Sequence, residues 1–283
     1  MKKISFLLLL SLFLVVGDSW AQRVIRVLAI GNSFSEDAVE NNLYDIAKAD
    51  GVTFIIGNLY IPGCSLETHW QNAQGNLPQY SYRKIDGNGH KTVTDNTTLY
   101  AALQDEKWDY ISFQQASHYS GLLDTYFPYL LNLKNYVQRN VTNPNVKYGF
   151  HMTWAYAHGS GHSGFANYGN SQQKMYNSIL NAVKKAKKEA RIPLLIPSGT
   201  AIQNARILLN DYNLCRDGYH LDLLLGRYVA ACTWYEALTK RSVLGNSYTP
   251  SGMDMRFKEI AQQAAHQAVK SPYKVKRAAM VLP

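Results

Sequence analysis

Cysteine is scarce and odd in number, with Cys64, Cys215 and Cys232 the only three in 283 residues. Three thiols cannot build a disulfide framework, and their spacing fits no metal-ligand set. Acidic residues are outnumbered, 20 against 29 basic, which leaves a formal charge of +9. That charge is not laid out as a stripe for nucleic acid: much of it sits in Lys184-Lys185-Ala186-Lys187-Lys188, at the spacing of a solvated helix face, and from Lys270 to Arg277. No apolar run after residue 16 is long enough to cross a bilayer, and repeats, low-complexity segments and linkers are missing. The reading is of a chain with neither a nucleic-acid partner nor a stable membrane insertion, and of undefined oligomeric state.

The first residues are different. Lys2 and Lys3 precede an apolar run from Ile4 to Val16, and Ser19 and Ala21 supply small residues for cleavage. The pattern is that of a signal peptide over residues 1–21, removed after Ala21, and no cysteine follows to accept a lipid. An exported chain is expected, periplasmic or extracellular in a bacterium, with one domain over residues 22–270 and a loosely packed basic tail over 271–283. In such an oxidising compartment Cys64 and Cys215 have two readings, a disulfide or buried free thiols, while Cys232 reads as core.

Val24 to Ile30 is apolar apart from Arg26 and ends abruptly in Gly31-Asn32-Ser33, which is how a buried strand of a parallel sheet ends. A helix from Glu36 to Asp50 and a strand from Val52 to Ile61 follow, the strand stopped by Pro62-Gly63. Gln79 to Thr94 alternates about Asp86-Gly87-Asn88-Gly89 and predicts an inserted β-hairpin. Further strands are expected over Trp108–Phe113, Val146–Trp154 and Ile192–Ile196, with helices over 124–139, 171–190, 200–209, 221–238 and 255–269. Ala155 to Asn170, rich in glycine, reads as a long surface loop. This alternation predicts an α/β flavodoxin-like three-layer sandwich with a five-stranded parallel sheet and helices on both faces.

Ser33 then stands at the carboxyl edge of the sheet beside a helix start, where free N–H groups favour an anion. A serine hydroxyl needs a base to act as a nucleophile. Asp217-Gly218-Tyr219-His220 supplies a histidine and a carboxylate three residues apart, so that one imidazole nitrogen can be held while the other faces Ser33. Ser33 or Ser35 could instead cap the helix, and Asp217 could cap the one after it; it is their joint order at strand ends that favours chemistry. His158 and His162 lie in loop and lack a third metal ligand, and no cofactor motif appears.

These blocks resemble those of the SGNH (GDSL-type) hydrolases, and most closely an uncharacterised bacterial subgroup of exported members. The Gly-Asp-Ser block is matched by Gly31-Asn32-Ser33, the Asp-x-x-His block by Asp217 to His220, and the oxyanion glycine after the second strand by Gly63. Asn32 stands where the family has aspartate, and the third block, Gly-x-Asn-Asp, is replaced by Gln114-Gln115. The resemblance implies an oxyanion hole made of Ser33 N–H, Gly63 N–H and the amide of Gln114 or Gln115. It implies a metal-independent ester hydrolase working through an acyl-enzyme. Export and aromatic loops point to O-acyl, chiefly O-acetyl, esters on a small molecule or polysaccharide, with Asn32, Trp70, His118, Tyr119 and Trp154 as candidate substrate contacts, core packing being an equal or better reading of Trp154. The alternatives are a glycan-binding protein that kept the fold and lost turnover, and a lysophospholipase-like esterase.

Overall fold

The computed structural model describes residues 23–276, so the segment read as a signal peptide and the last seven residues lie outside it. In chain order the elements are β1 (Arg23–Gly31), α1 (Ser33–Val39), α2 (Leu43–Ala49), β2 (Val52–Tyr60), α3 (Leu66–Gly75), β3 (Tyr80–Ile85), β4 (Lys91–Thr97) and α4 (Leu99–Asp105). They continue with β5 (Tyr110–Phe113), α5 (Tyr129–Asn140), β6 (Lys147–His151), α6 (Gln172–Glu189), β7 (Leu194–Ile196), α7 (Ser198–Leu208), α8 (Leu225–Thr239) and α9 (Met255–Lys270). All described strands form one sheet in the order β4-β3-β2-β1-β5-β6-β7.

The five expected parallel strands are present as β2-β1-β5-β6-β7, but the sheet has seven strands and is mixed. The hairpin expected as an insertion is its edge: β3 pairs antiparallel with β2 from Ile56↔Ile85 to Tyr60↔Ser81, and β4 pairs with β3. Tyr80, Tyr82 and Ile85 explain this, because all three are buried and an isolated hairpin has nothing to bury them against. β4 is exposed along nearly its whole length and polar, as suits an edge.

Helices α1 and α2 pack on α8, which packs in turn on α7 and α9, whereas α3, α4 and α5 contact one another in a separate group. The helix expected from Glu36 to Asp50 is interrupted at residues 40–42, where the Asn41 amide competes for the Glu36 carbonyl. The helix expected at Leu221 starts instead at Leu225, since the Asp222 carboxylate accepts the N–H groups of Leu224, Leu225 and Gly226. Leu221 is thereby left to form an isolated antiparallel bridge with Cys215, with His220 in the bend just before it. The stretch from Ala155 to Asn170 is not a surface loop throughout: Ala155, Tyr156, Ala157, Phe165 and Tyr168 are buried, and Ala157 N–H donates to the Gly218 carbonyl. The described part of the tail is docked on α7, with the Pro272 carbonyl accepting from Thr200 and Lys276 N–H donating to Asn204. Lys184, Lys185 and Lys188 are exposed along α6, and no described helix is long and apolar enough to cross a membrane.

Strand β1 lies between β2 and β5, so the connections leave its two sides in opposite directions. In an open α/β sheet the crevice at such a switch point, at the carboxyl ends of the strands, is where ligands sit. Gly31 ends β1 there. Its value is close approach rather than turn freedom, for a Cβ at this position would stand 2.4 Å from Ser35 Oγ and 3.0 Å from the Gln114 side chain.

Candidate active site

Asn32 sets the start of α1. Its Oδ1 accepts the Phe34 N–H at 3.0 Å, the N-cap bond that the sequence offered to Ser33 or Ser35. Both serines are thereby free for other contacts. Ser35 Oγ turns inward, 2.7 Å from the Asn32 carbonyl and 2.8 Å from Asn58 Oδ1. Ser33 Oγ lies 2.9 Å from His220 Nε2.

The imidazole is held from its other side, with His220 Nδ1 2.6 Å from Asp217 Oδ2. Asp217 Oδ1 accepts the N–H groups of Tyr219 and His220, which closes the four-residue turn. Burial works against ionisation of Asp217, but the bonds from the His220 ring and from these two N–H groups outweigh it and hold the carboxyl below its ordinary value. With Nδ1–H directed at a carboxylate, Nε2 is left as the acceptor for a serine proton. Ser33, His220 and Asp217 are thus brought together in the geometry of an acyl-transfer triad.

The turn is anchored by Asp37, one helical turn after Ser33 and with no exposed side-chain surface. Its carboxylate accepts from Arg216 Nη1 at 3.0 Å, Arg227 Nε at 2.8 Å and Leu221 N–H at 2.8 Å. These residues escaped the sequence reading, although the spacing of four between Ser33 and Asp37 places both on one helix face. Trp154, read either as a substrate contact or as core, is fully buried, which favours the core. It stacks on Phe34 with ring centroids 4.4 Å apart and donates Nε1–H to the Tyr219 carbonyl, so it supports the turn from below.

Beneath Ser33 runs a row of buried neutral groups. Asn32 Nδ2 donates to the Cys64 carbonyl, which fixes the amide orientation, and Asn32 Oδ1 accepts from Gln114 Nε2 at 2.8 Å. Gln114 Oε1 must then accept from His151 Nδ1 at 2.8 Å, which leaves His151 Nε2 to accept from Ser198 Oγ at 3.0 Å. Complete burial lowers the His151 pKa to about 3 and keeps the ring neutral. Every proton in the row therefore has one direction, set by the Cys64 carbonyl. Asn32 is 1% exposed and its amide oxygen is taken by Phe34 and Gln114, which speaks against the expected substrate contact. His151 was also missed, and its place at the carboxyl end of the expected fourth strand was the available signal.

The two glutamines separate cleanly. Both N–H groups of Gln115 go to Thr125, to its carbonyl and its Oγ1, and its Oε1 accepts from Leu66 and Ala116. Gln115 is thereby excluded as an oxyanion donor, whereas Gln114 keeps one N–H without a partner among the described residues. Gly63 has φ +62°, a conformation that favours glycine, and neither its N–H nor that of Ser33 is taken up among the described residues. Trp70 is half-buried against the core on α3. His118 is partly buried and Tyr119 exposed, on the loop that follows Gln115. Cys64, Cys215 and Cys232 are buried free thiols, which decides against the Cys64–Cys215 disulfide, and burial raises the pKa of each.

The sequence matches no curated protein. A DUF4886 family protein from Bacteroides uniformis is 53% identical in sequence, with a TM-score of 0.88 over 89% of this chain and 97% of its own. A protein from Slackia heliotrinireducens described as a candidate SGNH hydrolase is 20% identical, with a TM-score of 0.51 over 76% of this chain and 100% of its own. That second likeness concerns the fold, which is SGNH-like. Residues 26–268, nearly the whole described chain, match the family described as "Domain of unknown function (DUF4886)", and the chain belongs to that family.

Proposed function

We propose that this protein is an exported serine esterase acting on O-acyl esters, chiefly O-acetyl groups carried by carbohydrate. One observation carries the reading: Ser33 Oγ, His220 and Asp217 are joined by contacts of 2.9 Å and 2.6 Å at the switch point of the sheet. Export is supported by Lys2, Lys3 and the apolar run that follows them.

In the proposed reaction, Ser33 Oγ attacks the ester carbonyl while His220 Nε2 takes its proton. Asp217 stabilises the imidazolium that results. The carbonyl oxygen becomes an oxyanion facing the N–H groups of Ser33 and Gly63 and the free N–H of Gln114. Collapse of this intermediate breaks the ester C–O bond, His220 returns the proton to the departing alcohol, and the acyl group stays on Ser33. Water, losing a proton to His220, then attacks the acyl-serine; release of the acid restores the hydroxyl.

The test is turnover of 4-nitrophenyl acetate and of an O-acetylated oligosaccharide by the purified protein and by Ser33→Ala. The variant is expected to keep its circular dichroism spectrum and to lose about 10,000-fold or more in kcat. A serine-directed phosphonate should add once, at Ser33. Wild-type-like turnover by Ser33→Ala overturns the proposal; wild-type protein that binds the glycan and hydrolyses no ester returns the protein to the glycan-binding class.

A further inference from the structure

A cavity of about 300 Å³ opens between the start of α3, at Ser65 and Glu67, and the loop from Gln115 to Tyr129. Its walls are linked to Ser33 through chain neighbours. Ser65 follows Cys64, whose carbonyl accepts from Asn32, and Gln115 follows Gln114, which donates to Asn32, the residue before Ser33. A continuous run of rings leads from the same cavity to the base. Tyr119 packs on His118 with centroids 4.0 Å apart, His118 faces His162 at 5.7 Å, His162 meets Tyr219 at 4.8 Å, and Tyr219 lies 4.2 Å from His220.

The lining has a definite chemistry. Tyr119 is 37% exposed and offers a ring face, and Tyr129 OH donates to Glu67 Oε1 at 2.8 Å, which orients both side chains. Glu67 and Asp124 are exposed carboxylates, and no lysine or arginine lines the cavity. On a chain of net charge +9, this is a local field of the opposite sign. Burial holds His118 and His162 below the ordinary histidine value, so they add no positive charge at neutral pH.

We infer that this cavity is a subsite for an uncharged pyranose residue of the ester-bearing glycan, and that it discriminates against uronic acids. An apolar sugar face fits a phenol ring, hydroxyl groups donate to the two carboxylates, and a sugar carboxylate would be repelled by both. A fatty acyl chain finds no apolar trough here. The location beside the reacting ester rests on the esterase reading of Ser33.

The experiment measures kcat/KM for an O-acetylated cello-oligosaccharide, an O-acetylated oligogalacturonide and 4-nitrophenyl acetate. The wild-type protein is expected to favour the neutral oligosaccharide over the uronide by about tenfold or more. The double substitution Glu67→Gln with Asp124→Asn should bring that ratio to within about twofold, and Tyr119→Ala should lower the ratio of neutral oligosaccharide to 4-nitrophenyl acetate about tenfold. Equal use of neutral and uronic substrates by the wild type, or ratios unmoved in the variants, overturns the inference. If no ester is hydrolysed at all, it is the esterase reading that has failed. Calorimetry with the unacetylated oligosaccharides then decides the subsite: binding of the neutral one alone sustains it, and binding of neither, or of both equally, ends it.

Discussion

The two sides of Ser33 are held by opposite physical means. On the side of the proposed oxyanion hole, Asn32, Gln114, His151 and Ser198 are buried and neutral, and each bond in the row has one direction. On the base side, the turn carrying Asp217 and His220 is tied to α1 by charge, through Asp37, Arg216 and Arg227. The neutral row suits a site whose donors must stay fixed while charge develops in front of them. The charged knot suits a loop with few apolar side chains of its own, where a carboxylate with no exposed surface supplies the anchoring that packing does not.

If that contrast is right, the two sides fail differently. The largest loss is expected for Asp37→Asn, which leaves two arginines facing a neutral amide. Removing one partner of a buried pair costs about 3–5 kcal/mol, and partial exposure of Arg216 and Arg227 argues for the lower end. Urea denaturation should show that loss, and kcat on 4-nitrophenyl acetate should fall with it as the His220 turn loosens. Unchanged stability and kcat would mean that the knot anchors nothing.

On the neutral side, Gln114→Ala and Gln115→Ala each strand buried groups, at about 1–3 kcal/mol of stability. Only Gln114→Ala removes an oxyanion donor, and it should lower kcat about 100- to 1000-fold. Equal kcat losses in the two variants would erase the distinction between the glutamines.

Much of this was legible in the residues. The five parallel strands follow from apolar runs that end in small or polar residues, and the juxtaposition of Ser33 with Asp217 and His220 from the Asp-x-x-His spacing and its resemblance to the SGNH blocks. The seven-stranded sheet was not, because alternation in Tyr80, Tyr82 and Ile85 reports a buried face without naming the strand it joins. Asn32 looked like a lost carboxylate, yet its amide does what a carboxylate cannot, donating to the Cys64 carbonyl while accepting from Gln114. His151 and Asp37 went unseen because burial of a polar side chain depends on partners far away in the chain. Trp154 stays open between substrate and core in the residues alone for the same reason: a strand end does not tell which face an aromatic ring takes.

From acid a slope is expected rather than a single loss. Burial lowers the pKa of His151, and likewise of His69 on α3, to about 3. Unfolded histidine protonates near 6.5. Between these values the unfolded chain binds the extra proton and the folded one does not, so stability is complete above about pH 6.5 and falls as pH drops toward 3. Each histidine contributes about 1.4 kcal/mol per pH unit in that window. Asp217, held below its ordinary value, stays ionised through most of the same range, so acid should reach the neutral side of the site before the charged side. His151→Asn keeps a donor close to the Nδ1 position and cannot titrate; it should lower the slope of stability against pH between about 4.5 and 6 by roughly 1.4 kcal/mol per pH unit. A slope equal to that of the wild type, measured by urea denaturation across that range, would mean that the row beneath Ser33 is not where protons attack.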